Sequence, residues 1–170
     1  FVAGFVDTLA GGGGLITIPA FLLVGLTPAQ ALATNKCQAF AGTLTAASRL
    51  MTSGHIKIAS LWPFALLAFV MALIGAWSLR AVSDADWLDR IVPILLFAAA
   101  LYFGFVRLPQ TAMDHPPSFG VLAIMGIAFI GFYDGFFGPG TGSLFALLMI
   151  SMLGLGLRDA TIHAKLFNAM

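Results

Sequence analysis

Charge is what this sequence has least of. Only 9% of its 170 residues are Asp, Glu, Lys or Arg, where a soluble domain carries about 25%. With a mean hydropathy of +1.00, so few ions cannot solvate a globular surface, which excludes an ordinary soluble domain. The formal net charge is +1, so no strongly basic footprint exists and nucleic acid is not expected as a partner. A single cysteine, Cys37, allows no internal disulfide and fixes no redox compartment. No HExxH zinc motif occurs, and neither a metal nor a cofactor is expected. No secretory signal with a cleavage site is visible.

Long uncharged runs are present instead. Residues 58–79 hold no charge, and a membrane-spanning helix needs about 20 apolar residues. Residues 91–106 form a second run. Residues 118–133 begin a third, which Asp134 interrupts, and 135–157 are uncharged but glycine-rich. Short polar stretches at 83–90 and 107–118 separate them. The pattern predicts an all-α, polytopic integral membrane protein with the lipid bilayer as its surroundings. Arg49, Lys57 and Arg107 fall on one side and Arg80, Arg90 and Arg158 on the other. The positive-inside rule therefore assigns no orientation. Arg80, Asp84, Asp86, Asp89, Arg90, Arg107 and Asp114 read as solvated loop residues, and Arg49, His55 and Lys57 as interfacial anchors. The chain opens mid-pattern at Phe1 and ends at Met170 inside a helical pattern, as a fragment with spans missing at both ends would.

Two glycine clusters interrupt the apolar runs: "GFVDTLAGGGGLITIP" at 4–19 and "GFYDGFFGPGTGSLF" at 131–145. At an offset of 127, Gly4/Gly131, Phe5/Phe132, Asp7/Asp134, Gly11/Gly138 and Gly13/Gly140 coincide. A two-residue insertion then aligns Leu15/Leu144, Gly25/Gly154, Leu26/Leu155, Ala31/Ala160 and Lys36/Lys165. Matched aspartates, lysines and glycine clusters indicate an internal duplication, with a first repeat over 1–107 and the start of a second over 118–170. Each repeat is expected to hold about four transmembrane helices, the first of them glycine-interrupted. An even number of spans orients the two copies alike, the preferred arrangement. A broken segment that dips in and returns changes the parity and inverts them.

Glycine costs a helix about 1 kcal/mol relative to alanine, and irregular backbone within a bilayer is tolerated only where protein or a wet cavity receives it. One small-residue motif would serve close helix packing. Four consecutive glycines, echoed by Gly-Pro-Gly-Thr-Gly, exceed that need. Paired interruptions in two halves point to a transporter binding site. The helix restarting after each break offers free N–H groups and a positive dipole end, which favour an anion.

Ionisable residues within a membrane mark function by default. Lys36 lies eight residues past Pro28, roughly 12 Å along a helix, and Lys165 is its counterpart. Ala31, Asn35, Gln38 and Gly42 share one helical face, as do Ala160, Ala164 and Asn168 in the second copy. Asn35 aligns with Ala164, so the halves differ where an asymmetric substrate would sit. Asp7 and Asp134 precede the breaks, where a carboxylate either braces the loop or carries a proton. His163 is a further candidate for coupling or bracing. The expected anion-binding set is Gly11, Gly12, Gly13, Gly14, Thr34, Asn35, Lys36, Gly138, Gly140, Thr141, Gly142, Lys165 and Asn168.

These motifs, with "GLTPAQALATNKCQAFAGTLTAASRLMTSGHI" after the first and "RDATIHAKLFNAM" after the second, resemble the TauE/SafE family, also called the toluene-sulfonate uptake permease family. The resemblance runs from residue 4 to 170. It implies a bacterial inner-membrane, multi-pass secondary transporter of about eight spans, an exporter of sulfite or organosulfonates. The matching motif positions are Asp7, Gly11 to Gly14, Pro19, Thr34, Asn35 and Lys36. In the second copy they are Asp134, Gly138, Pro139, Gly140, Thr141, Gly142, Lys165 and Asn168. A proton or sodium gradient is the expected driving force. The alternatives are an anion channel and an intramembrane aspartyl protease. The protease pattern places glycines before its aspartate, whereas both aspartates here precede the glycines, and Ser143 with His163 has no supporting motif for a serine dyad. No enzyme activity is expected.

Overall fold

A computed structural model describes residues 2–10, 12–52, 58–105 and 120–169. Among them are eight helices: α1 (Val2–Ala10), α2 (Gly14–Leu23), α3 (Pro28–Thr52), α4 (Ile58–Ala81), α5 (Leu88–Phe105), α6 (Val121–Phe136), α7 (Thr141–Leu153) and α8 (Leu157–Asn168). No strand occurs among the described residues. His55, Lys57, Arg107 and Asp114 lie outside them, as does Gly11.

Local chemistry sets the boundaries. The glycine clusters end α1 and α6, as their helix-breaking cost requires. Gly25, at φ +91°, closes α2: Leu26 N–H donates to Phe21 O at 3.1 Å and Gly25 N–H to Leu22 O at 3.1 Å, a Schellman pattern. Gly154, at φ +64°, ends α7 in the same left-handed way. The sequence Thr27-Pro28-Ala29-Gln30 opens α3 as a capping box. Thr27 N–H donates to Gln30 Oε1 at 3.0 Å, and Gln30 N–H to Thr27 Oγ1 at 3.4 Å. Proline at the first helical position lacks only an N–H that would have had no partner.

Two stretches, Leu61–Ala81 and Leu88–Phe105, are long and apolar enough to cross a bilayer. Only 22% and 17% of their most apolar windows are buried. Trp62, Phe69, Leu73 and Trp77 of α4, with Ile94, Phe97 and Phe105 of α5, are exposed. Water does not tolerate apolar faces of this extent, and lipid does. The other apolar helices, α2, α6 and α7, are shorter than a span. The 25-residue α3 is long enough to cross at about 37 Å but too polar to qualify by hydropathy alone.

α4 and α6 pack backbone to backbone. A Cβ on Gly131 would lie 2.8 Å from Ala68 O, and one on Gly135 would collide with Ala72 O. Steps of four residues on both helices run in the same direction, so the pair is parallel and joined by small residues. One core cluster unites Leu61, Ala65 and Ala68 of α4, Ile127 and Ile130 of α6, and residues of α7 and α8. A second unites Ile18, Ala31, Leu32, Leu88, Val92 and Phe137.

α6 and α7 are not the halves of one straight crossing. Gly126 and Thr141 to Leu148 would be well over 20 Å apart on a continuous axis. Instead, the Leu148 side chain packs on Gly126, and Ile127 and Ile130 share a core with Phe145, Met149 and Ile150. The chain turns back at the second break. At the first break, Gly13 returns beside Ala3 and Asp7, again shortening the segment. A glycine cluster announces an interruption without encoding its angle, and the packing of α7 on α6 decides that angle here.

Candidate functional site

The site assembles where α3 meets the two breaks. Lys36 projects from α3, and its Nζ donates to Asp134 Oδ1 on α6 at 2.7 Å, closing an ion pair over 98 positions of sequence. The Asp134 side chain is 12% exposed and that of Lys36 29%. An aspartate this enclosed requires a charged partner. Beneath the ammonium lies Gly138, at φ +91°, where a Cβ would meet Lys36 Nζ at 2.9 Å. Glycine is required there twice over, by conformation and by space.

Asp7 sits on the other side. Its Oδ1 accepts the Gly13 N–H at 2.9 Å, so the carboxylate braces the first break. Asp7 and Lys165 line one small cavity of about 50 Å³ and attract each other electrostatically. In the sequence alignment Lys165 matches Lys36 and Asp7 matches Asp134.

The larger cavity, about 230 Å³, is lined by Asp7, Gly14, Asn35, Lys36, Asp134, Gly138 and Asn168, with apolar walls from α3 and α4. That volume is several times the ~30 Å³ of a water molecule and below the ~300 Å³ at which drug-sized pockets begin. It suits a small polar solute. Asn35 is buried, and its Oδ1 lies 2.5 Å from Thr17 Oγ1, which also reaches Gly13 O at 3.1 Å. Gly14 allows this approach, because a Cβ there would meet Asn35 Nδ2 at 3.0 Å and Pro139 at 3.3 Å.

The sequence-based candidates therefore separate. Gly14, Asn35, Lys36, Gly138 and Asn168 converge on the larger cavity with Asp7 and Asp134. Gly13 and Lys165 line the smaller one. Thr34 is exposed and lines neither cavity. Thr141 is fully buried and its hydroxyl donates to Gly138 O at 2.5 Å, which makes it a brace for the second break. Gly140, at φ +80°, packs under the Phe103 ring. Gly12 and Gly142 line neither cavity. His163 Nδ1 lies 2.7 Å from Asp159 O on its own helix, in an exposed setting. Gly11 lies outside the described residues. No group of three or more metal-ligating side chains occurs among the described residues.

Sequence reasoning missed Thr17, which positions Asn35, and Tyr133, whose hydroxyl donates to Pro139 O at 2.8 Å and braces the second break. Each lies within a turn or so of a glycine cluster, the one local signal that pointed to them. It also missed the Lys36–Asp134 pair, for which the signal was the match of Asp7 with Asp134 and of Lys36 with Lys165.

A family model described as sulfite exporter TauE/SafE matches residues 1–170. Among curated proteins, a probable membrane transporter protein of Haemophilus influenzae is 39% identical over 169 residues, covering 99% of this chain and 66% of that protein. Probable membrane transporter protein ORF9 of Sinorhizobium sp is 42% identical over 171 residues, covering 99% and 64%. Probable membrane transporter protein YfcA of Escherichia coli K12 is 40% identical over 171 residues, covering 99% and 62%. The chain thus spans a little under two thirds of the length of these relatives. No solved structure matches.

Proposed function

The chain belongs to the sulfite exporter TauE/SafE family, and we propose that it carries the substrate site of a secondary membrane transporter for a small anion. The observation behind this reading is the Lys36 ammonium, paired with Asp134, at the wall of a cavity of about 230 Å³ between α3, α4 and α6. A charge held within such a scaffold is costly and marks function. Lys36 supplies three donors, and Asn168 and the glycine-lined break supply neutral contacts. A sulfite or organosulfonate matches that set with its charged oxygens. The family description supports a sulfur anion and export, and a proton or sodium gradient drives the movement.

The repeats over 1–107 and 118–170 are part of the proposal. Each presents helix, break, helix, turn and helix in the same order. The fold-back of α7 on α6 favours an inverted relation between them, because a segment that returns to its own side leaves an odd number of crossings. We place the protein as multi-pass in the bacterial inner membrane. The geometry favours a carrier over an aspartyl protease. A protease dyad shares one proton between neighbouring carboxylates, whereas Asp7 and Asp134 each hold a partner of their own.

The test is flux through the full-length protein in proteoliposomes loaded with sulfite, sulfoacetate, taurine or chloride, with and without a pH gradient. Saturable, gradient-sensitive movement of a sulfur anion is the expected result. Fast, non-saturating flux would replace the carrier with a channel, and no flux of any anion would overturn the reading.

A further inference from the structure

We infer that Asp134 is a proton-binding site that loads together with the anion, so that each negative charge entering the cavity brings one proton. This deepens the anion reading above and rests on it. Four charged side chains line the two cavities. Asp7 and Lys36 line the larger cavity with Asp134, and Lys165 faces Asp7 across the smaller one. Two carboxylates and two ammonium groups sum to zero. No other titratable side chain among the described residues lines either cavity. α4 contributes only alanine and leucine, and α8 adds the neutral Asn168. Tyr133, next to Asp134 on α6, is engaged with Pro139 O.

An anion bound at Lys36 must share or take the ammonium that Asp134 now holds at 2.7 Å. Either way the site acquires one uncompensated negative charge beside a carboxylate only 12% exposed, and an uncompensated charge in a largely desolvated position neutralises by proton transfer where it can. Two carboxylates are candidates for that proton. Asp7 Oδ1 is committed to the Gly13 N–H and keeps Lys165 as a facing charge. Asp134 loses its cation to the anion, and among the described residues no backbone N–H donates to its carboxylate, which directs the proton there. The reaction is balanced: a proton from the aqueous side joins the Asp134 carboxylate, the Lys36 ammonium transfers its contact to the anion, and the net charge stays at zero. The same balance in reverse releases both.

The experiment is proton uptake on anion binding, read with a pH indicator in weakly buffered detergent solution. It uses the full-length protein with sulfite, sulfoacetate and methanesulfonate as probes. Wild type is expected to take up about one proton per bound monoanion, and its affinity to fall with rising pH by up to about tenfold per pH unit. The Asp134→Asn variant mimics the protonated state. It is expected to bind the anion more tightly at neutral pH, with no proton uptake beyond the anion's own titration. The wild-type measurement stands without the variant. Binding of any probe to wild type without proton uptake overturns this inference and leaves the anion site intact. An unchanged pH dependence in Asp134→Asn overturns it equally. Failure of all three probes to bind removes the anion site and this inference together.

Discussion

Lys36 Nζ and Asp134 Oδ1 lie 2.7 Å apart, joining α3 to α6 across 98 positions of sequence. The contact ties the helix that leads into the second glycine break to α3, the second helix after the first break. Stability and function meet in it, so the two can be separated by substitution. Breaking a buried pair by removing one partner costs about 3–5 kcal/mol. Lys36 retains 29% exposure, which screens the pair, so Lys36→Met is expected just below that range, at about 2–3 kcal/mol. Replacing both residues, Lys36→Met with Asp134→Leu, removes the stranded carboxylate and is expected to recover most of the loss. Thermal unfolding in detergent checks this, and a double variant no more stable than the single would contradict it.

Gly25 and Gly138 share a φ of +91°, but only Gly138 touches Lys36, and a Cβ at Gly25 meets nothing within 4 Å. Each alanine substitution carries a left-handed strain of about 1–2 kcal/mol. Gly138→Ala alone is expected to displace the ammonium, weakening anion binding by about tenfold or more, the equivalent of 1.4 kcal/mol. Gly25→Ala is expected to leave affinity unchanged. Binding titrations on the two variants give the comparison directly.

The α4–α6 contact has no room to give. At Gly135 a Cβ strikes the Ala72 carbonyl, which is backbone, whereas at Gly104 it meets open space. Gly135→Ala is expected to cost about 3 kcal/mol, the upper end of overpacking. Gly104→Ala is expected to be neutral or to stabilise by up to about 1 kcal/mol through helix propensity. Unfolding temperatures and the yield of monodisperse protein report both.

Adjacent positions on a helix point about 100° apart, and this separates Thr34 from Asn35. Thr34→Ala is expected to leave anion affinity within about twofold, since surface changes stay within ~0.5 kcal/mol. Asn168→Ala, at the cavity wall, is expected to weaken binding by about fivefold, one hydrogen bond of ~1 kcal/mol. Parallel titrations distinguish them.

The glycine breaks and the start of α3 were legible in the sequence because their signals are local: Gly-Gly-Gly-Gly, Gly-Pro-Gly-Thr-Gly and Thr-Pro-Ala-Gln. That Lys36 lies among packed helices was legible for a related reason, since a cation in an apolar run has few explanations. Its partner was not. Asp7 and Asp134 are equivalent as sequence, and only the packing of α3 between the two breaks selects the distant one. Thr141 shows the same limit. A threonine beside a glycine cluster reads as a ligand, yet its hydroxyl is spent on Gly138 O. The return of α7 along α6 was equally hidden, because it depends on Leu148 finding Gly126.

The most direct test of the central claim is anion flux through Lys36→Met, set against wild type, in proteoliposomes with matched insertion. A hydrogen bond to a charged group contributes about 1.5–3 kcal/mol, so the account expects saturable sulfur-anion flux in wild type and a loss of about tenfold or more in the variant. Wild-type flux through Lys36→Met would contradict it, and would leave the Lys36–Asp134 pair as a structural clamp between the two breaks.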